Sequence, residues 1–427
     1  ELIRYLEEAF SPSPYPQENS SRWADSIAFS IDDADTREID DAITVSADGN
    51  CLEVGIHIAD LSHFVKPNDP VDQVALRRCA TMYLPTGPIF MIPPQISCEI
   101  ASLNPEEPRP VLSLLVRFEG NGRILNWEFT RGTLRTQRRL NYEEVDAIIT
   151  DPQSNPWGPQ IKRLHKICQA LQRNRLRNGA MIFDKQEMKL RIDDDVITPK
   201  VFPTISPARN LVAELMSLYN HLAAEFARRN RIPVIYRAQD KPDEPASRFV
   251  GKIIRETYPS AFRGLKKGRL TLKPQPHSGL GLRSYTQVSS PLRRFADLVM
   301  QRQLIAYLEN MKYPYEPSNL LEVLNNAEII EREHREIERR CTRYWELEFI
   351  RRQGIDREYE AVVMNKLPAS YIVALQPWPV RGLLKSQELY KFGATVKVRI
   401  AALNPNLEVL RLVPVKESAG DEREGGR

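Results

Sequence analysis

A chain of 427 residues with 42% hydrophobic and 27% charged residues is long enough for a large core and more than one domain. Its five scattered cysteines form no CxxC pair, which argues against a disulfide framework and a zinc site and favours the cytoplasm or an organelle stroma. It contains no apolar run long enough for a transmembrane helix, so no membrane partner is expected, and a net charge of +4 permits an acidic polymer as partner.

The first notable stretch is an acidic run, residues 32–43. It holds six carboxylates and one arginine, a local charge of −5, between two strand-like apolar segments. Carboxylates this crowded repel one another, and burying them unpaired is costly, so a bound cation would relieve both problems. Hard oxygen ligands favour Mg²⁺ or Mn²⁺ over zinc. A solvated acidic turn is the alternative, and a Ca²⁺ loop is disfavoured because the EF-hand spacing and its central glycine are absent.

The residues after the acidic run predict a β-hairpin with an Asp-Gly turn. This hairpin would put Asp40 and Asp41 at the start of its first strand, with Asp32 at the end of the preceding strand. Two histidines, His57 and His63, lie nearby in sequence. Because the acidic run already supplies hard oxygen ligands, we expect structural hydrogen bonding from both rather than metal binding.

The acidic run, taken with residues 57–65, resembles the catalytic domain of the ribonuclease II/ribonuclease R (RNB) family. Members of this family are processive, Mg²⁺-dependent 3′-to-5′ exoribonucleases that release nucleoside 5′-monophosphates. Further segments resemble family signatures in the same order along the chain: Tyr83-Leu84-Pro85, Met91-Ile92-Pro93, Ser102-Leu103-Asn104-Pro105, Gly179-Ala180, His277-Ser278-Gly279-Leu280 and Ser289 to Leu298.

The resemblance implies an α+β fold. Residues 22–353 would form the RNB catalytic domain, with mixed, largely antiparallel sheets and packed helices. Residues 355–415 would form an OB-type RNA-binding β-barrel, which fits their short β-branched segments and Pro/Gly turns; a purely structural barrel is the alternative. Residues 416–427 predict a disordered tail.

The beginning of the chain departs from the family. Residues 1–21 predict a short helix and a linker, whereas bacterial relatives carry one or two RNA-binding barrels before the catalytic domain. The chain is therefore expected to be a short form of the family or a piece of a longer protein. A monomer is expected, and a protein partner that replaces the N-terminal barrels is an open alternative.

The resemblance assigns the catalytic metal site to Asp32, Glu38, Asp40 and Asp41, with Mg²⁺ as cofactor and Mn²⁺ as an alternative. The family carries Asp at all four positions, so Glu38 is a departure. Its extra methylene moves the carboxylate outward by about 1.5 Å unless the loop adjusts. A misplacement of about 1 Å can cost on the order of 100-fold in rate. We interpret Glu38 as a feature of one branch of the family rather than the mark of an inactive site.

Four residues are predicted to contact RNA: Tyr83, Tyr142, Phe183 and Arg294. The resemblance implies that Tyr83 stacks on the terminal bases, with Phe183 as the other half of a clamp, and such stacking needs no base preference. Tyr142 lies near the position of a substrate-contacting tyrosine in the family. From the sequence alone, each aromatic residue fits a core position equally well.

Residues 143–178 predict helical structure, and residues 207–230 predict an amphipathic helix with Ser206 as its N-cap. Glu214 lies at the edge of the apolar stripe of the second helix, where an ordinary solvated glutamate is one interpretation. The resemblance implies instead that Glu214 is a catalytic residue that points into the active site, with Asn220 in support.

Ser290 and Pro291 predict the start of another helix, which would put Arg293 and Arg294 in its first turn. Free backbone amides and guanidinium groups there would form an anion site. The resemblance makes Arg293 the catalytic residue that grips the phosphate near the scissile bond. The alternative is surface ion pairing of Arg293 with Asp297.

Residues 319–353 predict a long helix rich in Glu and Arg. Opposite charges four residues apart, such as Glu331 with Arg335 and Glu336 with Arg340, would stabilise its exposed faces. A coiled-coil partner helix is disfavoured because apolar heptads are not sustained.

Three functions remain open. The favoured hypothesis is metal-dependent, processive 3′-to-5′ hydrolysis of single-stranded RNA with release of nucleoside 5′-monophosphates. The second is a catalytically impaired protein on the same scaffold that binds RNA and regulates without cutting it. The third is a metal phosphoesterase acting on small substrates, which the basic segments and the OB-like end disfavour.

Overall fold

The structure, a computed structural model, describes residues 26–255 and 263–415. The predicted helix and linker at residues 1–21 and the predicted disordered tail at residues 416–427 lie outside the described residues. Among the helices within the two described ranges, none is both long enough and apolar enough to cross a membrane.

A six-stranded sheet carries the acidic run between two of its neighbouring strands. The strand order is β7-β6-β3-β2-β1-β8, with all neighbours antiparallel except β1 and β8, and β4 and β5 form a separate hairpin. The predicted hairpin is β2–β3. The elements are, in chain order, β1 (Ile27–Asp32), β2 (Asp41–Asp48), β3 (Cys51–Ala59), α1 (Pro70–Arg78), β4 (Met82–Leu84), β5 (Gly87–Ile89), β6 (Pro108–Phe118), β7 (Ile124–Arg135) and β8 (Arg138–Asn141).

His57 is buried in the middle of strand β3 and serves the sheet. Its Nε2 lies 2.8 Å from Thr44 Oγ1 and its Nδ1 lies 2.8 Å from Ser113 Oγ, so the ring joins three adjacent strands. Burial lowers the pKa of His57 to about 3, which keeps the ring neutral. Gly55 makes room for it, because a Cβ at that position would lie only 2.3 Å from His57 Nε2. The predicted structural role of His57 is confirmed.

Helices cover the sheet and connect it to the C-terminal part of the chain. The helix predicted for residues 207–230 is present as α4 (Pro207–Asn230). Ser206 is its N-cap, and Ser206 Oγ accepts a hydrogen bond from Arg209 N at 3.2 Å. The helical structure predicted for residues 143–178 is present as two helices, and Pro152 and Pro156 lie in the segment between them. The elements are α2 (Tyr142–Thr150), α3 (Gly158–Arg177), β9 (Ile182–Asp184), β10 (Gln186–Asp193), β11 (Val196–Pro203), α4 (Pro207–Asn230), β12 (Tyr236–Ala238), β13 (Ile253–Arg255), β14 (Arg269–Thr271), α5 (Phe295–Leu308) and α6 (Pro317–Gln353).

The β10–β11 hairpin reaches from the acidic loop to the C-terminal barrel. Lys189 Nζ lies 2.6 Å from Asp35 Oδ2 at one end of this span. Met188 and Ile197 pack against the apolar core of the barrel at the other. The sequence interpretation had no hairpin here, because most of its residues are exposed and its apolar contacts are made to a distant part of the chain.

The C-terminal strands form a closed five-stranded barrel in the order β15-β16-β17-β19-β18, which confirms the predicted OB-type barrel. Leu347 and Ile350, near the end of helix α6, are fully buried in the barrel core, so the helix is anchored to it. The strands are β15 (Glu358–Leu367), β16 (Ser370–Gln376), β17 (Arg381–Leu384), β18 (Thr395–Asn404) and β19 (Val409–Pro414).

The exposed charges of helix α6 pair partly as expected. The ion pair between Glu331 and Arg335 is present at 3.4 Å. The pair predicted between Glu336 and Arg340 is wrong, because Arg339 takes Glu336 at 2.8 Å. Arg340 instead reaches Glu408 on the barrel side at 3.5 Å.

Candidate active site

A cavity of about 1760 Å³ lies between the sheet, the β10–β11 hairpin, helix α6 and the barrel. The structure brings six of the predicted site residues together in its walls: Asp32, Glu38, Asp40, Asp41, Tyr83 and Arg293. It does not place the remaining four in those walls: Tyr142, Phe183, Glu214 and Arg294.

Two arginines hold the loop that carries the carboxylates. Arg139 Nη2 donates to the carbonyl oxygens of Asp33, Ala34 and Thr36, at 3.0, 3.3 and 2.5 Å. Arg209 Nη2 donates to the side chain of Asp33 at 2.8 Å. Sequence reasoning missed both arginines, and no local signal marks them, because each reaches the loop from a separate element.

Glu38 and Asp40 are buried and Asp32 and Asp41 are half-buried, and the four carboxylates have too few partners to offset the cost. Burial raises the pKa of Asp32 and Glu38 to about 7 and the pKa of Asp40 to about 6. Burial also raises the pKa of Asp41 well above its usual range, and the carboxylates of Asp32 and Asp40 raise it further. Oδ2 of Asp41 is buried and accepts no hydrogen bond within the described part of the chain. Such a group is stable as an anion only beside a positive charge.

The donor chemistry of this cluster fits a hard divalent cation. The unpartnered oxygen of Asp41 and its repulsion with Asp32 are the two features that a bound cation would relieve. Among residues 26–255 and 263–415, no three acidic, histidine or cysteine side chains lie close enough to enclose a metal as they stand. The structure therefore offers open carboxylate oxygens rather than a closed cage.

Arg293 lies directly beside the carboxylates. Its Nε donates to Asp40 Oδ2 at 3.1 Å and its Nη2 donates to Ser290 Oγ at 3.0 Å. The other oxygen of Asp40 accepts from Leu292 N at 2.9 Å. A guanidinium carries five N–H donors, so Arg293 keeps donors for an anion in the cavity.

The helix predicted to begin at Ser290 begins instead at Phe295, so neither arginine lies in its first turn. Arg294 is drawn into an antiparallel bridge with Ala80, which holds the preceding residues out of the helix. The side chain of Arg294 donates to both oxygens of Asp297 at 2.9 and 2.6 Å, and Asp297 is 1% exposed. This arginine supports the fold in the structure, and its predicted contact with RNA stays a prediction.

Glu38 is held by two hydroxyl groups. Tyr83 Oη donates to Glu38 Oε2 at 2.9 Å, and Thr81 Oγ1 donates to Glu38 Oε1 at 3.3 Å. The backbone N–H of Tyr83 donates to Glu338 Oε1 of helix α6 at 2.8 Å. Tyr83 is 48% exposed, so much of its ring faces the cavity while its hydroxyl is engaged.

Tyr142 lies near the carboxylates although it does not line the cavity. The guanidinium carbon of Arg209 is 4.1 Å from the centroid of its ring and 4.7 Å from that of Phe202. Burial raises the pKa of Tyr142, as do the carboxylates of Asp41 and Asp32. The arrangement is a stack of two aromatic rings and one guanidinium beside the acidic loop.

Phe183 and Glu214 are engaged elsewhere. Phe183 packs against Met181 and Ile254 in a small apolar cluster, away from the wall that carries Tyr83. Glu214 is 2% exposed, and its two oxygens accept from Arg175 Nε at 2.9 Å and Nη2 at 2.5 Å. Glu214 therefore does not line this cavity, and its carboxylate is paired with Arg175 of the neighbouring helix α3.

Other cations of the cavity wall differ in whether a carboxylate pairs with them. Arg37 and Arg411 have no ion pair within the described residues, and the guanidinium of Arg37 lies 5.4 Å from the ring centroid of Phe90. Arg37 could have been singled out from the sequence, since it is the one positive charge inside the acidic run. The paired cations are on the hairpin and helix α6: Lys185 with Glu187, Lys189 with Asp35, Arg191 with Asp193, Arg339 with Glu336 and Glu408, and Arg343 with Glu346.

Comparisons with known proteins show what the chain as a whole resembles. Residues 22–310 match the family model described as the RNB domain. An uncharacterized ribonuclease of Synechocystis is 30% identical over 363 residues, which cover 84% of this chain and 54% of the relative. The chain spans about half the length of the curated relatives that it matches.

Two solved structures share the fold at low identity. RNase R of Mycoplasma genitalium, in complex with ribose-methylated single-stranded RNA, is 18% identical with a TM-score of 0.82, over 97% of this chain and 74% of that one. Yeast Ssd1, described as a pseudonuclease, is 16% identical with a TM-score of 0.69, over 94% of this chain and 54% of that one. The fold is therefore found both in a ribonuclease and in a protein described as a pseudonuclease.

Proposed function

Because the chain belongs to the RNB domain family, we propose that it is a metal-dependent exoribonuclease. It would remove nucleotides processively from the 3′ end of single-stranded RNA and release nucleoside 5′-monophosphates. One observation carries the proposal. The walls of a single cavity hold carboxylates with too few partners, Arg293, and basic residues of the hairpin, helix α6 and barrel.

The residues of the chain divide the chemistry between them. Asp32, Glu38, Asp40 and Asp41 would hold the cation, and Mg²⁺ or Mn²⁺ bound there would activate a water molecule and neutralise charge on the phosphate. Arg293 would bind a phosphate oxygen through the N–H groups that Asp40 and Ser290 leave free. Asp40 keeps that guanidinium in place through its own bond to the Leu292 N–H.

The remaining cavity residues suit a single strand of any sequence. The exposed face of Tyr83 would stack on a base, and stacking does not select one base over another. Arg37 and Arg411 would meet phosphate groups directly, because no carboxylate competes for them within the described residues. The paired cations would contribute less to RNA binding, because each must give up a carboxylate partner before it can meet a phosphate group.

The second candidate is an RNA-binding protein that does not cut. The fold alone leaves this open, since yeast Ssd1 shares it, and Glu38 in place of Asp is the observation that favours it. The presence of all four carboxylates and Arg293 in one cavity favours cutting.

The deciding experiment uses single-stranded RNA labelled at its 5′ end, incubated with the protein and Mg²⁺, Mn²⁺ or chelator. A metal-dependent ladder that shortens to one end product, with nucleoside 5′-monophosphates released, is the expected result. A matched RNA whose 3′ end is blocked should be degraded more slowly, whereas a blocked 5′ end should have no effect. Intact RNA that is still bound by the protein would favour the second candidate.

A further inference from the structure

Glu38 reaches its partners only because it is a glutamate. Its Oε2 lies 2.9 Å from Tyr83 Oη. An aspartate at this position would be shorter by one carbon–carbon bond, about 1.5 Å. Its carboxylate would then lie well beyond hydrogen-bond distance of that hydroxyl without movement of the backbone. The departure from the family pattern at residue 38 therefore coincides with a specific contact.

Tyr83, whose hydroxyl is the donor, lies on a segment that hydrogen bonds hold in place. The residues before Tyr83 are tied to the segment of Arg293, since Thr81 N donates to Arg293 O at 3.0 Å. The Tyr83 N–H is tied to Glu338 of helix α6. A tyrosine hydroxyl carries its proton at neutral pH, so Tyr83 Oη acts as the donor to Glu38 Oε2.

We infer that Tyr83 has a second role as a positioning residue, in which its hydroxyl orients Glu38 toward the metal site. This inference rests on the proposed function. It differs from base stacking, because stacking uses the ring and positioning uses the hydroxyl. The contact compensates for the extra methylene of Glu38 by fixing where its carboxylate lies. A partner that orients a metal ligand in this way typically contributes 10–100-fold to metal affinity.

The test is a double-mutant cycle with Tyr83→Phe, Glu38→Asp and the two combined. The phenylalanine keeps the ring and removes only the hydroxyl. Tyr390→Phe is the matched control, since Tyr390 Oη donates to Glu388 at 2.6 Å on the barrel, outside the cavity. Two quantities are measured without turnover: Mn²⁺ affinity, from the free-ion signal in electron paramagnetic resonance, and RNA affinity in chelator, by fluorescence anisotropy.

We expect Tyr83→Phe to weaken Mn²⁺ binding about tenfold, with RNA affinity within about twofold of the parent protein. In the Glu38→Asp background the same substitution should change Mn²⁺ affinity less than about twofold, because the shorter carboxylate no longer meets the hydroxyl. The rate of RNA cleavage at limiting metal should fall with the Mn²⁺ affinity and recover at high metal concentration.

Equal losses of Mn²⁺ affinity in the parent and Glu38→Asp backgrounds would overturn the inference, as would unchanged affinity in Tyr83→Phe or an equal loss in Tyr390→Phe. The proposed function fails separately. A parent protein that shows the expected Mn²⁺ pattern but leaves RNA intact would keep the positioning role and refute the nuclease. A parent protein that degrades RNA, with no effect of Tyr83→Phe on Mn²⁺ affinity, would refute only the positioning role.

Discussion

Two parts of the cavity wall, the acidic loop and the β10–β11 hairpin, both carry many charges, but these charges differ in burial and in pairing. At the end formed by the acidic loop, carboxylates are withdrawn from water, and the buried Asp41 Oδ2 has no partner within the described residues. At the end formed by the β10–β11 hairpin, charges are exposed and paired, as in Arg191 with Asp193, whose side chains are 66% and 60% exposed. Exposed pairs contribute little to stability, whereas buried unpaired charges cost a great deal.

The difference indicates what each end can bind. The acidic end is unstable as a set of anions and gains most from a compact divalent cation. The charges of the hairpin are already balanced, so its cations can meet phosphate groups only where a carboxylate partner is displaced. A protein that needed only to bind RNA would have no use for the first arrangement, and this is why the acidic end favours a nuclease over a regulator.

The largest expected effect comes from Asp41→Asn. We expect RNA cleavage to fall about 100-fold or more, because the unpartnered oxygen that would bind the metal is replaced. RNA affinity in chelator should stay within about twofold. At pH 8 without metal, the free energy of unfolding should rise by about 1 kcal/mol, since a carboxylate that resists ionisation is gone. Rates, binding isotherms and urea unfolding curves check the three claims.

Asp193→Asn is the matched control at the other end of the cavity. It removes an acid that is exposed and paired, so cleavage should change less than about threefold. Equal losses of cleavage in the two variants would erase the contrast between the two ends. Equal loss of RNA binding and cleavage in Asp41→Asn would count against Asp41 as a metal ligand.

The adjacent residues Arg293 and Arg294 allow a similar comparison between a residue of the candidate site and a residue that supports the fold. Arg293→Lys keeps the charge but replaces the five-donor guanidinium with one nitrogen, so cleavage should fall about 10- to 100-fold. The free energy of unfolding should change less than in Arg294→Lys, because Asp40 keeps its bond from the Leu292 N–H. Arg294→Lys should lower the free energy of unfolding by about 2 kcal/mol, because the buried Asp297 loses its paired donors. The reverse pattern, in turnover assays and unfolding curves, would show that the two roles are exchanged.

Local patterns were enough for the elements that local chemistry decides. The Asp-Gly turn predicted the β2–β3 hairpin, Ser206 and Pro207 predicted the start of helix α4, and the β-branched segments predicted the barrel. The acidic run was found because crowding of like charges is visible in sequence. The family resemblance then selected four carboxylates within that run and added Arg293 and Tyr83, and these six of the ten predicted site residues line one cavity.

The errors come from contacts between distant parts of the chain. The start of helix α5 was wrong because Ala80 pairs with Arg294 and holds it extended. Nothing near Glu214 in sequence shows that Arg175 on another helix donates to both its oxygens, and the predicted catalytic role of Glu214 stays a prediction. The grip of Arg139 on the acidic loop was missed because its acceptors are backbone carbonyls, which leave no mark in the sequence.

His57 is a buried titratable group that stays neutral, in contrast to the carboxylates of the acidic loop. Its folded-state pKa of about 3 lies below the ordinary value of 6.5, so its contribution to stability is present above pH 6.5 and is lost as the pH falls toward 3. Between pH 6.5 and pH 5 the free energy of unfolding should fall by about 1.5 kcal/mol from this group alone. His57→Gln should remove that part of the pH dependence in urea unfolding. An unchanged pH dependence would mean that His57 is not held neutral.

The smallest expected effect separates a free cation from a paired one. Arg37→Ala should lower RNA affinity in chelator about threefold and reduce the slope of log affinity against log salt by about 0.7, the value for one contact with single-stranded phosphate. Arg191→Ala, in which the lost cation was already neutralised by Asp193, should change the slope by less than half as much. Fluorescence anisotropy across a salt series measures both slopes. A larger change from Arg191 than from Arg37 would mean that RNA phosphates bind by displacing carboxylates at the hairpin, and that the unpaired guanidinium over Phe90 serves the acidic loop instead.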